Sequence, residues 1–316
     1  MNEAFSRAIV AWYQAAGREL PWRAEDFSPW GILVSEFMLQ QTQVSRVVPR
    51  LEAWLARWPT AADLAADSPA EAVRMWDRLG YPRRALWLHQ AAVEIVARHD
   101  GQVPSDVDAL LALKGVGPYT ARAVAAFAYA IQEPVVDTNT RRVIARAVDG
   151  VAAAGMPSER GDLAAMSELL PHKALDAQRF NAGIMELGAV ICVARAPLCE
   201  RCPVSAQCAW RAAGYPANAP EKRPRQAKFE GSDRQVRGIV LAALREHPEP
   251  VPHAELTNRW ADQTQLGRAI HSLLADGLIE LDERGETDPA ESAGVDADAM
   301  AEDKLTSWYR LPTVTQ

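Results

Sequence analysis

The chain has 316 residues, 48% of them hydrophobic, enough to bury two or three cores and too many for one small one. There is no run of about 18 uninterrupted apolar residues, and the start, Met1-Asn2-Glu3-Ala4, lacks the basic and then apolar order of a secretory signal. A membrane or secreted protein is therefore not expected, and the chain is assigned to the cytoplasm. The net charge of −7 argues against a nucleic-acid partner only as an average, because residues 1–220 carry 22 basic and 23 acidic side chains and residues 221–316 carry 12 and 18. Asp282 to Asp303 alone holds nine acids against Arg284, which leaves the rest free to present a local basic face.

From Asn2 to about Ala209 apolar residues recur at three- and four-residue spacing between short Pro/Gly breaks, the pattern of an all-helical region. Trp12, Trp54 and Trp76 fall at helical spacing and are expected in the core. The stretch Trp30–Val44 reads as one helix, with Leu33, Phe37 and Val44 on one face and Glu36, Gln40 and Gln43 on another. From this helix alone Glu36 is a solvated glutamate. The alternative is partial desolvation by Val34, Phe37 and Met38, which would raise its pKa and keep a proton available for a leaving group.

Leu110–Ala121 reads as helix, tight turn Gly115-Val116-Gly117, and a new helix with Pro118 at its first position. A plain helical hairpin explains this equally well as a helix-hairpin-helix, whose glycines and free helix amides hold a DNA phosphate without reading sequence. Asp137 directly precedes an amphipathic helix and is an N-cap by pattern; the same carboxylate is also suited to stabilise a cationic sugar. Cys192-x6-Cys199-x2-Cys202-x5-Cys208 packs the chain's four cysteines into seventeen residues. That clustering points to metal ligation rather than a disulfide framework, and spacing leaves zinc and a [4Fe–4S] cluster both open.

Residues 211–232, rich in proline and charge, form a linker. Beyond it, helices are expected over 233–247, 253–260 and 263–276, and strands over 278–281 and 307–311. This is a small winged-helix-like domain, 233–316, with an acidic, disordered wing at 282–303. Nine acids on a wing tip would be repelled by phosphates, so a structural or protein-contact role is expected for this domain.

Taken together, several ordered motifs resemble the helix-hairpin-helix DNA glycosylase superfamily over residues 5–210, and within it the MutY-type adenine glycosylases. They are Leu20-Pro21-Trp22-Arg23, Ser35-Glu36-Phe37-Met38-Leu39-Gln40-Gln41-Thr42-Gln43-Val44, Leu79-Gly80-Tyr81, Gly115 to Ala121, Val136-Asp137-Thr138-Asn139, Met185-Glu186-Leu187-Gly188-Ala189 and the cysteine run. The resemblance implies two all-α domains, a six-helix module at 29–135 and an iron-sulfur domain from 1–28 and 136–210, with substrate in the cleft between them. It implies that Cys192, Cys199, Cys202 and Cys208 hold a [4Fe–4S] cluster of structural, DNA-positioning role, with Arg195 and Arg201 near phosphates.

The expected partner is double-stranded DNA with adenine opposite 8-oxoguanine or guanine, bound by a monomer, the adenine being flipped out of the stack. Gln41 and Tyr81 would wedge around the opposite base, and Gly115, Val116 and Gly117 would hold the backbone. Glu36 would protonate adenine at N7, Asp137 would stabilise the oxocarbenium-like sugar, and Tyr119 and Asn139 would support them. Endonuclease III-like relatives have a lysine where Tyr119 stands, and a phenol cannot form an imine, so a monofunctional glycosylase is expected. Three departures stand out: nothing in residues 221–316 resembles the Nudix-like domain that many members use for 8-oxoguanine, Pro82 follows Tyr81 where many have a second tyrosine, and Thr140 follows Asn139 where valine is commoner. The competing expectations are a thymine or uracil mismatch glycosylase of the same superfamily, and a non-catalytic iron-sulfur DNA-binding protein.

Overall fold

The computed structural model describes residues 2–217, 228–282 and 307–313. In chain order the helices are α1 (Asn2–Ala16), α2 (Pro29–Leu39), α3 (Val44–Arg57), α4 (Ala61–Ala66), α5 (Pro69–Trp76), α6 (Arg83–His99), α7 (Val107–Leu111), α8 (Pro118–Tyr129), α9 (Thr138–Ala147), α10 (Glu159–Ser167), α11 (Ala174–Val190) and α12 (Ala209–Ala212). After these come α13 (Asp233–Glu246), β1 (Val251–Pro252), α14 (His253–Thr257), α15 (Gln263–Ala275), β2 (Glu280–Asp282) and β3 (Trp308–Arg310). Helix starts follow local chemistry: Ser28, Ser68, Asp106, Asp137 and Asp262 each accept a backbone N–H as N-caps, and α2, α5 and α8 open on proline. Among the described residues no helix is long and apolar enough to cross a membrane.

By internal packing the chain divides into two units, Met1–Gln40 with Gln102–Lys222, and Gln41–Gly101 with Arg223–Gln316. This division passes through the span 29–135 rather than around it. In the first unit α1, α9, α10 and α11 close on a core of Phe5, Ile9, Val143, Ile144, Met166, Phe180, Ile184 and Leu187. Phe5 meets Phe180 edge to face at 6.4 Å. A smaller cluster, Ala123, Ala126 and Val135, supports Tyr119 and Met185 from below.

In the second unit α3–α6 bury Leu51, Trp54, Leu64, Trp76, Leu88 and Ile95, and Trp54 lies edge to face with Trp58 and Trp76 at 4.6 and 5.8 Å. Trp54 and Trp76 are thus core, as their spacing predicts, whereas Trp12 is only partly buried against the first unit's core. The same unit contains α13–α15, whose apolar positions Val236, Val240, Leu244, Leu266, Ile270 and Leu273 are buried. Their sheet has strand order β1-β3-β2, antiparallel, with Val251 and Leu281 flanking Tyr309. β1, two residues long and half proline, carries no readable period and was not expected from the pattern. The acidic stretch 282–303 lies outside the described residues except Asp282, which is buried in β2 against Arg310 at 2.8 Å. Part of the linker, 218–227, also lies outside them.

Two sequence expectations need correction. The helix expected over Trp30–Val44 ends at Leu39, because Gln41 turns left-handed (φ 54°) and α3 restarts at Val44 with Gln43 as its N-cap. Trp30–Met38 is buried without interruption, so α2 has no polar face, and Glu36 is not the solvated glutamate that the helix alone implied.

Candidate active site

Glu36, on the buried helix α2, is 5% exposed. Removal from water disfavours its charged form and raises its pKa to about 7; a hydrogen bond from the Tyr119 phenol works against this, and the nearby Asp137 charge adds to it. Tyr119 sits in the first turn of α8, directly after the glycine turn, and its own pKa is pushed well above the usual phenol value by burial and by Glu36 and Asp137. Gln40 Nε2 donates to Thr120 Oγ1 at 3.4 Å, so the end of α2 is tied to the same first turn of α8.

Asp137 caps α9: one carboxylate oxygen accepts the Thr140 N–H at 2.7 Å and the other accepts from Asn139 Nδ2 at 2.8 Å. Asn139 is fixed in turn, its Oδ1 accepting from Arg142 Nη2 at 2.7 Å. The same guanidinium reaches the carbonyls of Gly188 and Cys192, both at 2.7 Å. Gly188 is required here. A Cβ at this position would stand 2.7 Å from Asn139 Cβ and 2.9 Å from Asn139 O, so only glycine lets α11 approach α9 this closely. The segment leading into Asp137 is set by buried Asn181, which accepts the Val135 N–H and donates to Glu133 O, both at 2.9 Å.

The structure thus brings Glu36, Tyr119, Asp137 and Asn139 together within the first unit. Gly115, Val116 and Gly117 belong to that unit too. Gly115 has φ 78°, Val116 is buried and anchors the turn, and a Cβ on Gly117 would meet nothing within 4 Å, leaving the backbone before α8 open to a close neighbour. The first amides of α8 have no intrahelical acceptor.

Gln41 and Tyr81 lie in the second unit. Both are non-glycine residues with left-handed backbone, φ 54° and 48°, a conformation that persists only where its surroundings impose it. Tyr81 is 55% exposed. Beneath it, buried Arg84 donates from Nη2 to Thr42 Oγ1 at 3.2 Å and to Gly80 O at 3.1 Å, and its guanidinium lies 5.4 Å from the Tyr81 ring centre. One arginine therefore joins the loop that follows Gln41 to the turn that presents Tyr81.

The four cysteines line one pocket together with Arg146 and Trp210. Arg146 stitches this loop, donating to the carbonyls of Ala152, Val193 and Ala194 and to Cys192 Sγ at 3.5 Å. Burial pushes the Cys202 thiol up to about 11. Among the described residues no three His, Cys, Asp or Glu side chains converge where a single metal ion could sit. Arg195 and Arg201 are both exposed.

The sequence reading missed three groups. Arg142 and Arg146 are spaced i, i+4 on α9, which places them on one face of that helix. Arg84 is hidden among neighbouring arginines. The third is a buried ion pair: Glu186, 1% exposed, accepts from Arg18 Nε at 2.6 Å and from Arg23 Nη2 at 2.9 Å. Burial alone would raise its pKa, but the two guanidiniums more than reverse this and hold it at about 2. Arg23 and Glu186 both stand in motifs singled out above, yet their partnership across the chain is invisible in one dimension.

A family profile described as HhH-GPD superfamily base excision DNA repair protein matches residues 34–150. The chain is 53% identical over 273 residues to the adenine DNA glycosylase of Mycolicibacterium smegmatis, covering 86% of this chain and 91% of that one. Among solved structures it resembles a thermostable thymine-DNA glycosylase (26% identity, TM-score 0.60, 67% of this chain and 97% of that one). It shares its fold with an endonuclease III in a non-covalent DNA complex (19% identity, TM-score 0.57, 68% and 98%). The motifs, the helical fold and the extent of these matches agree, and the chain belongs to the adenine DNA glycosylases, base-excision repair enzymes of the helix-hairpin-helix superfamily.

Proposed function

We propose that the enzyme hydrolyses the N-glycosidic bond of adenine mispaired with 8-oxoguanine or guanine in duplex DNA, acting as a monomer and leaving an abasic site without cleaving the strand. The observation that carries this reading is buried Glu36, with its pKa near 7 and its hydrogen bond to Tyr119. At neutral pH such a carboxyl is protonated in a large share of molecules and can deliver its proton to N7 of the departing adenine. Asp137, fixed by Thr140 N–H and Asn139, supplies negative charge to the oxocarbenium-like sugar as the bond breaks. Tyr119 holds Glu36 and, lacking an amine, offers no route to an imine with the abasic sugar. Gln41 and Tyr81 enter the stack beside the opposite base, while the amides before α8 hold a phosphate.

Cys192, Cys199, Cys202 and Cys208 fit a [4Fe–4S] cluster better than a zinc ion. A cubane takes one thiolate per iron, so its ligands stand around a volume, as these four do, rather than at a point. Such a cluster would supply a covalent anchor for the 192–212 loop and for nearby Arg195 and Arg201, and no step of base removal would run through it. The helices and small sheet of 228–313 fit a winged-helix-like domain, and the enzyme acts in the cytoplasm.

The test is single-turnover base release from duplexes with adenine opposite 8-oxoguanine, adenine opposite guanine, and thymine opposite guanine, before and after hot alkali, with a parallel borohydride trapping assay. Strand breaks at adenine that need alkali, and no trapped complex, are expected. Alkali-independent breaks or a trapped adduct would overturn the monofunctional reading, and equal release from paired and mispaired adenine would overturn the mispair requirement.

A further inference from the structure

The chemistry above leaves α13–α15 and their sheet without a role, yet their polar contacts within the second unit converge on one short segment. Residues 77–82 run from the end of α5 at Trp76 to the start of α6 at Arg83, and three of them have positive φ: Asp77 at 47°, Gly80 at 86° and Tyr81 at 48°. Two of the three are not glycine, so the turn depends on its surroundings to stay in this shape.

Both flanks of the turn are gripped. On the α5 side, Arg74 Nη1 donates to the carbonyls of Leu244 and Arg245 at 2.9 and 2.8 Å. Arg245 Nε returns a bond to the carbonyl of Val73 at 3.1 Å. All three carbonyls belong to last turns, of α13 and of α5, where no intrahelical donor is available, so each arginine completes the helix end that the other leaves open. Arg245 pays for this position in hydration: burial brings its guanidinium down to about 10, with the charge of Asp77 opposing. Asp77 is itself paired with Arg50 at 2.7 Å. On the α6 side, Arg83 Nη1, two residues beyond Tyr81, bonds Asp276 Oδ1 at 3.2 Å, while Asp276 Oδ2 accepts from Arg237 of α13 at 2.6 Å.

We propose that the C-terminal helices clamp the 77–82 turn and fix the left-handed geometry that presents Tyr81, with Arg245 and Asp276 as positioning residues that never touch the substrate. The proposal rests on the reading that Tyr81 faces the duplex beside the opposite base. Polar pairs at the two flanks deliver the docking energy of the added domain to the segment that needs it. A domain with an acidic stretch next to β2 thus contributes to mispair recognition without meeting a phosphate.

The test uses the full-length chain with Asp276→Asn, Arg245→Met, Tyr81→Ala, and the Asp276→Asn/Tyr81→Ala double variant. Three quantities are read: affinity for a mispaired duplex carrying a non-hydrolysable adenosine analogue, the single-turnover rate at saturating enzyme, and amide exchange over 78–82. Asp276→Asn and Arg245→Met are each expected to weaken duplex binding about three- to tenfold. The saturated rate should change little, exchange should quicken over 78–82, and Asp276→Asn should add nothing once Tyr81 is alanine. Full affinity and unchanged exchange in both single variants, with Tyr81→Ala weakened, would overturn the clamp and leave the Tyr81 reading standing. An additive loss in the double variant would also overturn it. Full affinity in Tyr81→Ala would sink the Tyr81 reading, and exchange over 78–82 would then decide the clamp by itself. Asp276 sits in a partly exposed pair, so its variant keeps the test valid even where Arg245→Met fails to fold.

Discussion

Glu36, the proposed acid, illustrates how a buried carboxyl can cost stability. Its folded pKa is about 7 against a usual value of 4.5. Stability linked to this group is therefore full below about pH 4.5, declines as pH rises, and is lost above about 7. Glu36→Gln, which keeps shape and removes the charge, should stabilise the protein by about 3 kcal/mol at pH 8 and by almost nothing at pH 4.5, read by denaturant titration at both pH values. A stability gain of equal size at the two pH values would mean that packing, not charge, is responsible. Thr140 gives a second residue-scale case. Its Oγ1 is buried without a partner, so Thr140→Val should leave stability unchanged or raise it by up to about 1 kcal/mol, and a loss above that would reveal a bound water satisfying the hydroxyl. At this scale the sequence named side chains that the structure brings together, and misjudged the surroundings of Glu36. The polar face that appeared to carry Glu36 exists only if α2 lies on a surface, and nothing local to residues 30–44 reports that α8 and its neighbours cover it.

Among the elements, the contact of α9 with α11 decides the geometry of Asp137. Gly188→Ala would drive a methyl into Asn139 and push the helices apart, releasing the Asn139 bond to Asp137. We expect a loss of roughly 1–3 kcal/mol in stability, together with a fall in the single-turnover rate larger than the fall in duplex affinity. Unchanged excision kinetics would show that Asn139 does not set the Asp137 carboxylate. The cysteine loop is a second such case: Cys199→Ala should remove the visible absorbance expected of the proposed [4Fe–4S] cluster and weaken DNA binding, while Glu36 and Asp137, held by α2, α8 and α9, stay in place. Helix starts were legible because caps and prolines act within four residues. Helix ends were less so, since the break after Leu39 depends on a left-handed Gln41 rather than on a glycine or proline. β1 has no sequence signature because its strand character comes from pairing with β3, with Val251 opposite Tyr309, 58 positions further along the chain.

For the whole molecule, a net charge of −7 proved compatible with a DNA enzyme because the acidity is concentrated after residue 220. The family was readable from ordered motifs spread over residues 5–210, and the match to adenine DNA glycosylases sets aside both the thymine or uracil alternative and the non-catalytic one. The ion pairs of Arg18 and Arg23 with Glu186, and the hydrogen bonds from Arg74 to carbonyls at the end of α13, were not readable, since each joins residues more than 150 positions apart. The measurement that bears most directly on the account is the pH dependence of single-turnover adenine release by the wild-type enzyme, Glu36→Gln and Tyr119→Phe. The wild-type rate should fall as pH rises through an apparent pKa near 7, and Glu36→Gln should be inactive throughout. Loss of the Tyr119 hydrogen bond should move the fall to higher pH, because that bond lowers the Glu36 pKa. A rate independent of pH between 5 and 9, or appreciable release by Glu36→Gln, would contradict the assignment of Glu36 as the acid.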